Sequence, residues 1–249
     1  MRLSLLVAMV ALGSLAAAAQ DGWAELCKGG SAMSIGQAIQ SGASVDEEYF
    51  DGMRPLMYAA GFNPDPEAVA ALVRAGAKVA ERDVSGWTPL LYAAFYNANA
   101  EVLAALLRNG SRLDERDLAG NTALHCAATG DNRPEIAAWL IARGASVGER
   151  NKAGETPLMA AAARASDIRT AQVLLEAGAR IEDADGSGRD ALQYAAAYSM
   201  NPAMVSFLLK AGADGRRRDR DGKTAYDLAA ANEGLNTSPV LEALRKASR

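Results

Sequence analysis

The hydrophobic and polar positions of this chain follow a pattern that repeats every 34 residues. Leucine recurs at one position of the repeat, alanine at a second and glycine at two more. The four columns are Leu56, Leu90, Leu124, Leu158 and Leu192; Ala59, Ala93, Ala127, Ala161, Ala195 and Ala229; Gly52, Gly86, Gly120, Gly154, Gly188 and Gly222; and Gly42, Gly76, Gly110, Gly144, Gly178 and Gly212. Because a constant period of this length is typical of repeat architectures, we expect several copies of one small folding unit in a row.

Within each repeat the pattern predicts two short helices and a turn. The pair Thr88-Pro89 suits the start of a first helix, since the hydroxyl can cap the N-terminus and proline is tolerated at the first helical position. The pair Asp65-Pro66 begins a second helix, whose apolar residues recur with helical spacing. The glycine column that contains Gly76 is expected to end this helix. The polar segment that follows predicts a turn that projects between units.

These motifs resemble those of the ankyrin repeat, a turn followed by two helices with a Thr-Pro-Leu-His-x-Ala signature. The matching segments are Gly86-Trp87-Thr88-Pro89-Leu90-Leu91-Tyr92-Ala93-Ala94, Gly120-Asn121-Thr122-Ala123-Leu124-His125-Cys126-Ala127-Ala128 and Leu174-Leu175-Glu176-Ala177-Gly178-Ala179. The resemblance covers residues 23–249 and implies an all-α ankyrin-repeat solenoid of stacked helix-loop-helix units with projecting hairpin turns.

The chain departs from the family pattern in two ways. Its period is 34 residues, where the family usually has about 33. The extra residue is expected in the loop between the two helices of a repeat. The signature histidine is kept only at His125. Since the family uses this histidine to bond the turns of neighbouring units, the resemblance implies a structural role for His125.

The first residues differ in composition from the repeats. Arg2 precedes the uncharged, mostly apolar residues 3–15 and the small residues Ala17-Ala18-Ala19, a pattern typical of a secretory signal peptide. We expect cleavage after about Ala19, a periplasmic or secreted protein of the bacterial exported type, and no stable membrane insertion afterwards. The alternative is an uncleaved anchor, although the apolar stretch is shorter than the roughly 20 residues of a spanning helix.

The period also predicts the division of the chain into units. The expected division is a signal peptide at 1–19, an N-terminal capping unit at 20–49, ankyrin repeats at 50–83, 84–117, 118–151, 152–185 and 186–219, and a sixth repeat or C-terminal cap at 220–249. The first unit lacks the Thr-Pro-Leu entry. The last helix is expected to begin at Ser238-Pro239, later than the period predicts.

The composition argues against several classes of function. The chain has 26 Lys and Arg against 30 Asp and Glu, a net charge of −4, which does not favour a nucleic-acid partner. No residue pattern predicts a catalytic centre, a cofactor or a metal site. The segment 183–190 resembles a calcium loop, but Tyr194 stands where the glutamate ligand is required. Cys27 and Cys126 are expected to be buried, and too far apart for a disulfide.

Three columns vary in polarity between repeats and therefore indicate positions that face solvent. They read Met53, Trp87, Asn121, Glu155, Arg189 and Lys223; Phe62, Tyr96, Gly130, Arg164, Tyr198 and Asn232; and Gly61, Phe95, Thr129, Ala163, Ala197 and Ala231. In the first two repeats they carry Met53, Phe62, Trp87, Phe95 and Tyr96, which we predict to be a protein-binding cluster. The alternative is that these side chains pack on the N-terminal cap and seal the core.

Two other features need an interpretation. Trp139 is expected in the core, because its column otherwise contains the small or apolar residues Ala71, Ala105, Val173 and Phe207. The basic run Arg216-Arg217-Arg218 predicts a solvated turn tip, or else a contact with an acidic partner.

The leading hypothesis is a monomeric, exported, non-catalytic scaffold that binds another protein through its concave face and turn tips. The second is an enzyme with an unrecognised hydrolytic site, which would need clustered titratable groups in a pocket. The third is a membrane-tethered ankyrin adaptor.

Overall fold

The computed structural model describes residues 22–130, 134–164 and 166–249. The predicted signal peptide lies outside the described residues. Within these ranges every regular element is helical. The α-helices are α1 (22–29), α2 (Ala32–Gln40), α3 (Pro55–Phe62), α4 (Pro66–Arg74), α5 (Pro89–Tyr96), α6 (Ala100–Arg108), α7 (Ala123–Thr129), α8 (Pro134–Ala142), α9 (Pro157–Arg164), α10 (Arg169–Glu176), α11 (Ala191–Tyr198), α12 (Pro202–Lys210), α13 (Ala225–Ala231) and α14 (Pro239–Ala247), and a 3-10 helix covers Phe50–Gly52.

The helices form consecutive pairs, so the predicted all-α class and the helix-loop-helix unit are confirmed. Odd-numbered helices are the first of each pair and even-numbered helices the second. No helix of the pairs exceeds nine residues in the described chain. Helices this short are marginal in isolation, and their stability therefore depends on packing against neighbours.

The chain divides into two compact units. Unit 1 comprises the described residues up to Ala93 together with Asn99–Arg112, and unit 2 comprises Ala94–Ala98 together with Leu113–Arg249. In unit 1, α4 packs against α2, α3 and α6. In unit 2, α11 packs against the first helices α9 and α13, and α9 also packs against α7. The second helices α8 and α10 contact each other, as do α12 and α14.

The leucine and alanine columns form the core of each unit. In unit 1, Leu56 and Leu72 are at most 2% exposed and Ala59 is fully buried. In unit 2, Leu158 and Ala161 are equally buried. Burying one leucine contributes about 1.5–3 kcal/mol, while the alanines add little apolar area and let the first helices approach closely.

The helix ends mostly follow the predicted capping pattern. The glycines of both columns have φ between 76° and 106°, the left-handed conformation expected at the end of a helix and in the turn. Asp65 Oδ1 accepts a hydrogen bond from the Glu67 amide at 2.9 Å, as a cap should. The hydroxyl cap is present at Thr156, whose Oγ1 accepts from the Met159 amide at 3.4 Å. The prediction is wrong at Thr88, because its buried Oγ1 has no hydrogen-bond partner in the described structure.

Each repeat carries the predicted projecting turn, closed by backbone hydrogen bonds. In unit 1 the Asp83 amide donates to the Trp87 carbonyl at 3.1 Å. Adjacent tips are also joined, because the Val84 amide donates to the Asp51 carbonyl at 3.0 Å. In unit 2 the Gly186 amide donates to the Ala153 carbonyl at 3.1 Å in the same way.

An arginine column holds the turns in place. The side chains of its members each donate from Nη1 to the glycine carbonyl four residues further on. The bonds are Arg82 to Gly86 at 2.7 Å, Arg116 to Gly120 at 2.9 Å, Arg150 to Gly154 at 2.8 Å and Arg218 to Gly222 at 2.6 Å. Arg217 likewise donates to the Glu182 carbonyl at 2.5 Å. Arg216 also donates from Nε to Asp214 Oδ1 at 3.3 Å, so all three arginines of the basic run are bonded within their own chain.

Cys27 and Cys126 are buried, as expected, with exposures of 0% and 2%. Both are free thiols. Burial raises the pKa of Cys27 to about 12 and raises that of Cys126 as well. The prediction for Trp139 is wrong: the side chain is only partly buried, and the Arg143 guanidinium carbon lies 3.5 Å from its ring centroid. The ring is therefore stacked with a guanidinium instead of being enclosed in the core.

Candidate functional site

The signature histidine, His125, connects two consecutive repeats through hydrogen bonds. Its Nδ1 lies 3.3 Å from the Thr122 amide nitrogen, which donates to it, and its Nε2 lies 3.0 Å from the Glu155 carbonyl oxygen of the next repeat. These partners require Nε2 to carry the proton. Burial lowers the pKa of His125, which favours the neutral ring. The structural role that the resemblance implied for His125 is confirmed.

Gln193 makes the same pair of contacts two repeats later. Its Oε1 accepts from the Asp190 amide at 3.1 Å, and its Nε2 donates to the Lys223 carbonyl at 3.0 Å. Glutamine therefore replaces the signature histidine without loss of the connection between turns.

In unit 1, Trp87 is fixed at the base of its turn. Its ring packs edge-on against Tyr92, with the two centroids 5.2 Å apart. The Tyr92 hydroxyl donates to Asp83 Oδ2 at 2.7 Å, and the Trp87 amide donates to Asp83 Oδ1 at 2.7 Å. Trp87 is thus partly exposed on a rigid support, which suits an anchor for a partner.

Phe62 and Met53, also in unit 1, differ in exposure. Phe62 is 42% exposed, and the Lys28 Nζ lies 5.9 Å from its ring centroid. Since Lys28 belongs to α1, Phe62 has the contact with the N-terminal cap that the alternative interpretation required, yet much of its side chain stays accessible. Met53 is partly buried, and its carbonyl accepts from the Tyr49 amide at 2.8 Å.

Phe95 and Tyr96 lie in unit 2. Their ring centroids are 4.5 Å apart, and Tyr96 is 37% exposed. The column of Tyr96 holds the buried Gly130, where an added Cβ would lie 2.4 Å from the Phe95 carbonyl oxygen. Glycine is required there because the two backbones approach closely. Its presence in the column is therefore not evidence that the position faces solvent. As a binding surface, the five predicted residues stay a prediction.

The turn tips carry exposed apolar side chains that the sequence analysis missed. Phe50 is 90% exposed and Val84 is 66% exposed in unit 1, and Leu118 is 63% exposed in unit 2. The tip column reads Phe50, Val84, Leu118, Lys152, Gly186 and Arg220. The signal was present in this column, which is apolar in the first repeats and polar in the later ones.

Unit 2 contains a second feature that the sequence analysis missed, a pocket between α9 and α11. Its volume is about 380 Å³, and its lining residues are Glu155, Ala160, Ala163, Arg164, Tyr194 and Tyr198. We call it the α9–α11 pocket. Ala160 and Ala163, 7% and 8% exposed, form its floor, and the two tyrosine rings, 5.6 Å apart between centroids, form one wall.

One end of the α9–α11 pocket is acidic. The Tyr194 hydroxyl oxygen lies 2.8 Å from Glu155 Oε1 and 2.8 Å from Asp185 Oδ2. Burial, together with these two carboxylates, raises the pKa of Tyr194, so the hydroxyl keeps its proton. At the other side of the wall, Arg189 Nη1 donates to the Tyr198 hydroxyl oxygen at 3.0 Å.

The described ranges offer neither a metal site nor a membrane span. No group of three or more His, Cys, Asp or Glu side chains there could hold a metal ion. None of the helices that the structure describes has the length and apolar character needed to cross a membrane.

Comparisons with known proteins agree on the architecture. The family profile for ankyrin repeats (three copies) matches residues 15–117, 56–151, 94–185, 124–219 and 162–247. The crystal structure of the human ASB11 ankyrin repeat domain is 25% identical, with a TM-score of 0.73 over 90% of this chain and 96% of that chain. A search of curated proteins found no match. The family profile spans nearly the whole chain, and the protein therefore belongs to the ankyrin repeat family.

Proposed function

We propose that this protein is a non-catalytic scaffold that binds another protein through its turn tips and the exposed side of its first helices. Ankyrin repeats are generally protein–protein interaction modules, and their extended surfaces suit that role. The binding residues proposed are Met53, Phe62, Trp87, Phe95 and Tyr96, to which we add the tips Phe50 and Val84.

The observation that carries the proposal is the exposure of large apolar side chains at the tips of unit 1. Phe50 and Val84 belong to a column that is polar in later repeats, at Lys152 and Arg220. Exposing Phe50 to 90% costs free energy in water, and contact with a partner would recover it. The hydrogen bond from the Val84 amide to the Asp51 carbonyl joins the two tips and fixes their relative position before a partner binds.

The state of the reactive groups supports a role without catalysis. Both ring nitrogens of His125, the only histidine, are engaged in the structural contacts described above. The two thiols are buried, and burial raises their pKa, which disfavours the nucleophilic thiolate.

We further propose that the protein acts as a monomer, outside the cytoplasm, after removal of residues 1–19. The support is the charged, apolar and small-residue pattern of that segment. N-terminal sequencing of the protein from its native host tests the export and separates the scaffold from a membrane-tethered adaptor. A mature start near Gln20 is expected, and a chain that retains Met1 would contradict cleavage.

Affinity capture with the mature protein as bait tests the scaffold role. The wild type should retain a partner that the Trp87→Ala, Tyr96→Ala double variant loses. Lys223→Ala is the matched control, because Lys223 occupies the column of Trp87 in the last repeat and is exposed. Circular dichroism should show the same helix content in all three proteins.

Two results would count against this proposal. Equal capture by the wild type and the double variant would refute the predicted residues. Absence of any partner that the wild type retains and the unfolded protein does not would refute the scaffold role itself.

A further inference from the structure

The α9–α11 pocket is lined by two alanines at positions where some other repeats have an aromatic residue. Ala160 occupies the column of Tyr58, Tyr92 and Tyr194, and Ala163 occupies the column of Phe95. The missing side chains leave a volume of about 380 Å³ above an alanine floor, between Tyr198 and the turn that holds Glu155. A cavity of this size is large enough for one long side chain of a partner.

Among the residues that the structure describes, no cation pairs with Glu155 at the acidic end of the pocket. Glu155 Oε1 accepts from the Tyr194 hydroxyl and Oε2 from the Asn151 Nδ2 at 2.8 Å, and both of these donors are neutral. A tyrosine hydroxyl has one hydrogen to donate, yet its oxygen lies 2.8 Å from the carboxylates of both Glu155 and Asp185. Asp185 also accepts from the Ser187 amide and hydroxyl and from the Arg189 amide, whereas among the described donors the Glu155 carboxylate has only the neutral Tyr194 and Asn151.

Neither of the two arginines described near the pocket forms an ion pair with Glu155. Arg189 is paired with Asp219, with Nε 3.0 Å from Oδ2. Arg164 is exposed at the last turn of α9. Since the helix rises about 1.5 Å per residue, Arg164 lies about 10 Å along the axis from Pro157, the residue where α9 begins beside Glu155. The pocket is thus acidic at the turn and basic only at the far rim.

We propose that the α9–α11 pocket receives an arginine side chain of the partner protein, which stacks on Tyr198 and pairs with Glu155. The inference rests on the proposed function, because it assumes that the partner is a protein. Tyr198 is 53% exposed, so its ring is accessible for stacking. A guanidinium is planar and can bond both oxygens of a carboxylate while its face lies on an aromatic ring, which a lysine ammonium cannot do.

Other occupants fit the pocket less well. An apolar side chain would cover the Glu155 carboxylate without supplying a counter-ion, and burial of an unpaired charge is costly. An acidic side chain at the turn end would be repelled by Glu155 and Asp185. Arg164 at the rim is placed to meet a carboxylate on the same partner segment.

The probe for the test is Nα-acetyl-arginine methylamide, titrated into the mature protein and followed by NMR of labelled alanine methyl groups. The methyl resonances of Ala160 and Ala163 should shift and saturate. Nα-acetyl-citrulline methylamide, which has the same shape and no charge, should bind at least about tenfold more weakly. An equal response to the two probes would overturn the assignment of the charge, and no saturable shift with the arginine probe would overturn the pocket.

Three variants sharpen the test. Glu155→Gln keeps an oxygen that can accept from Tyr194 and should weaken the arginine probe at least about tenfold. Glu176→Gln, on the exposed end of α10, is the control and should leave binding unchanged. Ala160→Tyr, which introduces the residue that this column has at Tyr58, Tyr92 and Tyr194, should abolish binding by filling the pocket. Unchanged binding by Glu155→Gln would refute the proposal even if Ala160→Tyr does not fold.

Failure of this inference is distinguishable from failure of the scaffold role. If the wild type captures its partner but does not bind the arginine probe, the pocket proposal alone is wrong. If the probe binds saturably and no partner is captured, the scaffold role is wrong, and what stands is that the pocket binds an arginine side chain.

Discussion

The Nε2 of His125 lies 3.0 Å from the carbonyl oxygen of Glu155, so one side chain spans two consecutive repeats. The Thr122 amide fixes the other ring nitrogen. Glu155 therefore has two separate tasks: its backbone oxygen joins the turns, and its side chain closes one end of the α9–α11 pocket.

Two replacements of His125 should distinguish the contribution of its hydrogen bonds to stability from the contribution of imidazole packing. We expect His125→Gln to change the free energy of unfolding little, since Gln193 makes the same two contacts in its own repeat. His125→Ala should cost about 1–3 kcal/mol, because the buried Thr122 amide and the Glu155 carbonyl would lose their partner. Urea unfolding measures both. An equal loss of stability in the two variants would mean that packing of the imidazole, rather than its hydrogen bonds, matters.

The lowered pKa of His125 predicts a pH dependence. Burial places the pKa in the folded protein below the unfolded value of about 6.5, so the unfolded chain takes up the proton first as pH falls. The contribution of the neutral ring is complete above about pH 6.5 and decreases as pH falls below it. Between pH 7.5 and 5.5 the wild type should lose more stability than His125→Gln. Parallel pH profiles would contradict the assignment.

Gly130 should be intolerant of any side chain. An added Cβ would lie 2.4 Å from the Phe95 carbonyl oxygen, and a backbone atom cannot move aside as a flexible side chain can. We expect Gly130→Ala to destabilise the protein by about 2 kcal/mol or more in thermal or urea unfolding. Gly148→Ala is the matched control, because nothing lies within 4 Å of its added Cβ. Comparable stabilities of the two variants would show that the backbones separate easily at Gly130.

Much of the fold follows from local chemistry repeated at a constant period. Glycine at Gly76 ends a helix and leucine at Leu72 fills the core wherever they recur, so the helix pairs, the turns and their spacing could be predicted. The failures concern side-chain placement that the residue type at one position of the repeat does not determine. Thr88 has the residue type of a cap but makes no cap bond, and Trp139 is covered by Arg143, one helical turn away.

Of the two candidate sites, one could be detected in the sequence and the other could not. The apolar tips Phe50 and Val84 were detectable, because their column changes from apolar to polar along the chain. The α9–α11 pocket was not, since it arises from side chains that are absent at Ala160 and Ala163 and from a hydroxyl of Tyr194 that reaches Glu155 thirty-nine residues away. A gap in packing has no pattern in the sequence until the neighbouring helix is placed beside it.

The dissociation constant of the captured partner tests the central claim most directly, the claim that binding depends on the apolar tips of the first repeats. The Phe50→Ser, Val84→Ser double variant should bind at least about thirtyfold more weakly than the wild type, which corresponds to about 2 kcal/mol. The control, Lys152→Ser with Arg220→Ser, changes the same column in later repeats and should stay within about threefold of the wild type. Equal affinity of the Phe50→Ser, Val84→Ser variant and the wild type would contradict the account.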